Sequence, residues 1–138
     1  MKQNNFLGHW QFDPTQSRYQ LGNPPQSGSY TIEEDDQRLV FKMAWTDIGG
    51  QEHAAQFHGI PDGKQYPLDD TTVADMVCLT LKDAYTLVST AYKNGLLILH
   101  AQRTLSEDGN TMNIVQSGNT DAGPYANESV YRRLASGH

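Results

Sequence analysis

Four side chains in this sequence have the chemistry to move a proton or fix a polar ligand: His53, Asp75, Tyr92 and Arg103. General acid–base work needs only one or two such groups, well placed, and nothing in their spacing ranks these four, so no catalytic residue is assigned. His53 lies in "EHAAQFH", where alternation puts it on one face with Ala55 and Phe57. It is therefore the candidate orienting group beside apolar surface. His53 and His58 are five positions apart and point to opposite faces of a regular strand, so they share a metal only across a bulge. His9 is expected outward if Trp10 is inward, and His100 in "LILHAQ" has no clear parity. Neither His-x-His nor His-Glu-x-x-His occurs, so no metal site and no cofactor are expected. Cys78 is the single cysteine, which excludes an intrachain disulfide and a cysteine-based zinc site; a small, partly buried thiol is expected. "GIPDGKQ" lacks the spacing of a phosphate loop, and no Gly-x-Ser-x-Gly elbow is present.

These groups must be positioned by elements that 138 residues can build. That length fits one domain, 1–138, burying roughly two-thirds of the surface its unfolded chain exposes. Hydrophobic content of 37% and charged content of 19% suit a globular chain. The longest apolar run, Leu96 to Leu99, is strand-sized, so no membrane span is expected. The first ten residues carry no apolar stretch of the kind a secretory signal needs, and a cytoplasmic location is expected. A net charge of −6 with one adjacent basic pair, Arg132-Arg133, argues against nucleic acid as a partner.

The chain has a β rhythm. "RLVFKMAW" places Leu39, Phe41, Met43 and Trp45 on one face and Val40, Lys42 and Ala44 on the other. "SYTIEE", "EHAAQFH", "DMVCLTLK", "YTLVSTAY", "LLILHAQRT", "TMNIVQS" and "ESVYRRL" follow the same logic, between turns at Asp35-Asp36-Gln37, Gly49-Gly50, Lys82-Asp83-Ala84, Asn94-Gly95 and Asp108-Gly109. Val, Ile, Thr, Tyr and Phe fill the segments, and no helix of ten residues is expected. The reading is an all-β, closed antiparallel up-and-down meander barrel of about eight to ten strands. Two stretches are expected to be irregular, Asp13 to Ser27 with Pro24-Pro25, and Gly59 to Thr72; either suits the cover of a barrel mouth.

"FLGHW" followed by "DPTQSRY", with "PP", "YTIEE", "DGKQYP" and "DGNTM" in that order, resembles the calycin superfamily of lipocalin and fatty-acid-binding-protein barrels. More specifically, the ordered set is similar to uncharacterised bacterial lipocalin-like proteins and covers nearly the whole chain. The resemblance implies a fold more than a function. It also implies that Gly8 and Trp10 begin the wall at the closed end, with a late Arg or Lys over the indole. Arg132 and Arg133 are the candidates, and because neighbours on a strand face opposite ways, only one of them meets Trp10 from inside.

Inward positions by alternation are Trp10, Phe12, Ile32, Phe41, Met43, Trp45, Ala55, Phe57, Val77, Leu79, Leu87, Ser89, Met112 and Ile114. Small Ala55 and Ser89 among bulky neighbours leave room for a cavity, giving Phe41, Met43, Trp45, His53, Phe57, Leu79 and Ser89 as the expected ligand-binding set. The leading expectation is binding of a small hydrophobic molecule in the barrel interior. Two others stand beside it: an isomerase- or cyclase-type barrel enzyme, and a homodimeric interaction module whose interior is simply core.

Overall fold

The computed structural model describes residues 5–20, 22–69, 74–120 and 123–134. Two-residue turns with left-handed backbone set the meander: Asp36 and Gln37 have φ of 50° and 74°, and Asn94 and Gly95 have 52° and 82°. Such turns match the right-handed twist of the strands they join, so each reverses the chain without splaying the pair. The strands are β1 (Gly8–Phe12), β2 (Arg18–Tyr19), β3 (Ser27–Asp35), β4 (Arg38–Thr46), β5 (Glu52–Gly59), β6 (Asp62–Pro67), β7 (Met76–Asp83), β8 (Thr86–Lys93), β9 (Leu96–Leu105), β10 (Thr111–Thr120) and β11 (Gly123–Arg133). All pairings are antiparallel, and the sheet runs β5-β4-β3-β1-β11-β10-β9-β8-β7-β6, with β2 on β11. First and last full-length strands thus meet, and the wall is a nearly closed barrel whose hydrogen-bonded path begins at β5 and ends at β6. Among the described residues no helix is long and apolar enough to cross a membrane.

Burial rises towards one end. The turns after β3, β7 and β9 gather there, and beside them Leu39, Leu87, Leu105 and Met112 are buried, together with Trp10, Ile32 and Leu79. Each such side chain contributes about 1.5–3 kcal/mol on burial. Phe6 plugs this end and its carbonyl accepts the Trp10 indole N–H at 3.1 Å. Trp10 pairs with Arg133 in register, so both side chains face inward, and the Arg133 Cζ lies 4.3 Å from the Trp10 ring centroid. Arg132 faces out and donates to Asp13 at 2.9 Å. Gly8 is required here twice over: its φ is +132°, and a Cβ would stand 2.7 Å from Arg133 Nη1.

The sequence reading differs from the structure in its two irregular stretches. Gly59 to Thr72 contains β6, which the turn residues Pro61, Gly63 and Pro67 disguise. The Asp62 carboxylate accepts from the Lys64 amide and the Tyr66 hydroxyl, and a bulge between Asp62 and Gln65 restores pairing with β7. Asp13 to Ser27 contains β2, which continues along β11 where β1 leaves it: Asn127 pairs with Tyr19 and Glu128 with Arg18. Among the described residues ten strands therefore form the wall, with a two-residue eleventh.

Candidate functional site

Away from the plugged end the interior opens. Along β4, inward Leu39 and Phe41 are buried while Met43 and Trp45 are half-buried; along β5, Gly59 is buried, Phe57 half-buried and Ala55 exposed, although Ala55 pairs with Met43 and faces inward with it. The same gradient runs on β8 from Leu87 and Ser89 to Ala91, and on β9 from Arg103 and Ala101 to Leu99. The lower half is packed core and the upper half is a cup.

Arg103 stands at the floor of that cup. It pairs with Leu87 on one side and Ile114 on the other, and is 4% exposed. Its Nε and Nη2 donate to the Tyr30 hydroxyl at 3.1 and 2.9 Å, and Nη1 donates to Ser89 Oγ at 2.9 Å. The guanidinium also lies 5.1 Å from the Phe41 ring centroid and 5.9 Å from that of Tyr30. Among the described residues no carboxylate pairs with it. Tyr131 meets the Tyr30 ring edge-on at 5.3 Å. Burial first, and then Tyr30 and Tyr19, push the Tyr131 phenol above its ordinary range against a smaller opposing pull from Arg103, so at neutral pH it is a hydrogen-bond donor. Tyr19 reaches the Ser129 hydroxyl at 2.9 Å on the same wall.

The rim is built by the turn between β4 and β5. Asp47 accepts the Gly49 and Gln51 amides, each at 2.9 Å, which closes the turn, and its other oxygen meets His53 Nε2 at 2.9 Å. The hydrogen bond to His53, then those from the backbone, hold the Asp47 carboxyl below its usual range. An ionised carboxylate accepts, so His53 Nε2 carries a proton towards it and Nδ1 is left facing elsewhere. The imidazole stacks on Trp45 at 5.3 Å and 18°.

Of the expected ligand-binding residues, Phe41 and Phe57 stack at 4.5 Å in the lower cup, Met43 lies above them, and Trp45 and His53 form the rim. Ser89 holds Arg103. Leu79 belongs to the packed half, against Gly59 across the β5–β6 gap, where a Cβ on Gly59 would lie 3.1 Å from its Cδ1. Gly8, Trp10 and Arg133 are together at the plugged end and Arg132 is outside. Asp75 accepts the Asn94 amide and Tyr92 binds Thr90, so neither joins Arg103 or His53. His9 is outward on Thr31, and His100 faces opposite to buried Ala101. An open groove of about 700 Å³ also runs over Gln11, Ser29, Ala44, Ala54 and Leu134 of the outer wall and reaches Glu52, Trp45 and His53 at the rim. It has no buried polar side chain to orient a ligand, and the chemistry converges inside instead.

Tyr30 and Tyr131 were not among the expected site residues. The period of "SYTIEE" already puts Tyr30 with inward Ile32, and the register of "VYRRL" puts Tyr131 with Arg133.

No protein-family model and none of the curated proteins matches the sequence. Among solved structures, zebrafish ileal bile acid-binding protein complexed with cholic acid is similar over 95% of this chain and 100% of its own, with a TM-score of 0.58 at 11% identity. The fold is that of the calycin barrels. Lobster apocrustacyanin A1 is matched over 96% of this chain and 62% of its own, with a TM-score of 0.48 at 12% identity. Here the interior above the plugged end is enclosed by strands on nearly all sides, which is where Arg103, Tyr30 and Tyr131 sit.

Proposed function

We propose that this protein binds an amphipathic organic acid, its apolar body in the cup against Phe41, Met43, Trp45 and Phe57 and its acidic group at Arg103. The observation that carries the reading is a cation that is 4% exposed and, among the described residues, hydrogen-bonded to the hydroxyls of Tyr30 and Ser89 with no carboxylate beside it. Burying a charge without a counter-ion costs several kcal/mol, and aromatic faces offset only about 0.5–2 kcal/mol of it. A guanidinium has five N–H donors, three of which are engaged here, leaving two for a carboxylate. The Tyr131 hydroxyl supplies a further donor on the same floor. The calycin barrel complexed with cholic acid supports the reading at the level of fold.

Calorimetric titration with dodecanoate, its methyl ester and dodecanol tests it. Dodecanoate is expected to bind at least about tenfold more tightly than the two uncharged ligands, since a hydrogen-bonded charge contributes about 1.5–3 kcal/mol. Arg103→Gln is expected to remove that preference. Equal binding of acid, ester and alcohol overturns the assignment of an acidic group to Arg103.

A further inference from the structure

Resting on that reading, we infer that the barrel reads both ends of its ligand, and that the acid it takes carries a hydroxyl group at the end remote from its carboxylate, received by His53 Nδ1. His53 faces into the cup by register with Trp45. Its Nε2 is committed to Asp47 at 2.9 Å and its face to Trp45, so the ring is fixed in two ways and Nδ1 is the atom left with no partner among the described residues. With Nε2–H given to the Asp47 carboxylate, Nδ1 is the ring nitrogen left to accept. A lone pair accepts a hydrogen bond, so the matching group must be a donor: a hydroxyl fits, and an ether or a terminal methyl does not.

The separation of the two polar points defines the ligand's length. Arg103 lies against Phe41, which stacks on Phe57, and His53 is four residues further along β5. Four residues of strand span roughly 13 Å. Between them the inward side chains are Met43, Ala55 and Trp45, with no charged group among them. The small, exposed methyl of Ala55 leaves that stretch open. An extended medium-chain acid with a terminal hydroxyl spans it, with its carboxylate at the floor and its hydroxyl at the rim.

The test compares ω-hydroxydodecanoate, ω-methoxydodecanoate and dodecanoate by calorimetry on the full chain. The hydroxy acid is expected to bind roughly three- to tenfold more tightly than either of the others, the worth of one neutral hydrogen bond. In His53→Phe, which keeps an aromatic ring over Trp45 but has no Nδ1, the ratio is expected to fall to about one. Three acids of equal affinity, all weakened by Arg103→Gln, overturn the role of His53 and leave the acid site standing. A hydroxyl preference that persists in His53→Phe likewise overturns it. If none of the three acids binds, both readings fall.

Discussion

Arg133 lays its guanidinium 4.3 Å over the Trp10 ring and passes beyond it to the carbonyls of Leu7, at 2.7 Å, and Asn5, at 2.6 Å. A third bond, from Nε to the Gly109 carbonyl at 3.0 Å, ties in the turn between β9 and β10. One side chain on the last strand thus fastens the first strand, the segment before it and a distant turn. Truncating it leaves those carbonyls without a donor where the barrel is plugged.

Arg133→Met is therefore expected to cost about 2–4 kcal/mol in urea unfolding, combining the cation–π contact with charge-assisted hydrogen bonds. Arg133→Lys keeps the charge but not the fork, and should recover less than half of the loss. Arg132→Met, outside on Asp13, should cost under about 1 kcal/mol, as expected for an exposed pair.

Gly8→Ala should destabilise by more than the about 1 kcal/mol typical of a glycine in a left-handed position. The added methyl meets Arg133 Nη1 as well as requiring φ of +132°. In Arg133→Met the same alanine should cost less, a non-additivity that a double-mutant cycle reads directly.

Tyr30→Phe removes the acceptor of two Arg103 hydrogen bonds and should lower stability by about 1–3 kcal/mol. An acid bound at Arg103 supplies replacement acceptors. Saturating dodecanoate is accordingly expected to raise the melting temperature of Tyr30→Phe by more than that of the wild type, as scanning calorimetry would show.

Acid sensitivity follows from four carboxyls held below their usual range: Asp13 by Thr15 and then Arg132, Asp47 by His53, Asp62 by Tyr66 and Asp108 by Ser106. A depressed folded-state value means that the unfolded chain binds the proton more readily. The stabilisation is thus fully present above the ordinary aspartate range, about 3.9, and is lost as pH falls through the lower folded values. Chemical-denaturation midpoints should be level from neutral pH down to that range and fall below it. Asp108→Asn should flatten part of the fall.

The plugged end was legible in the sequence because its signals are local and periodic: Gly8 and Trp10 in one short strand, and the alternation from Leu39 to Trp45 in a clean hairpin. The floor of the cup was not. "LLILHAQRT" is apolar on both faces at its start, and a bulge between Ala91 and Tyr92 shifts its register with β8, so parity is hidden where Arg103 needs it. An arginine on a strand also reads as outward by default, and only the placement of Tyr30 and Ser89 around it makes burial tolerable. β6 escaped notice for a different reason. Its proline and glycine content belongs to a short edge strand opening on a bulge, a position where both residues are tolerated.

The hydrogen-bonded wall has a seam. Among the described residues no ladder bonds join β5 to β6; the chain itself links them through Ile60 and Pro61, Leu79 lies against Gly59, and His58 and Asp69 are 3.6 Å apart nearby. Between the other neighbouring strands, widening the barrel means breaking ladder bonds; here it means parting side chains beyond the Ile60-Pro61 link. The wall is therefore a ring split along part of its seam and hinged at Ile60 and Pro61, so that parting the rest of the seam for a bulky guest breaks no ladder bond. The amides on the seam edges of β5 and β6 should be the first strand amides to exchange with solvent, ahead of those of β1 and β11.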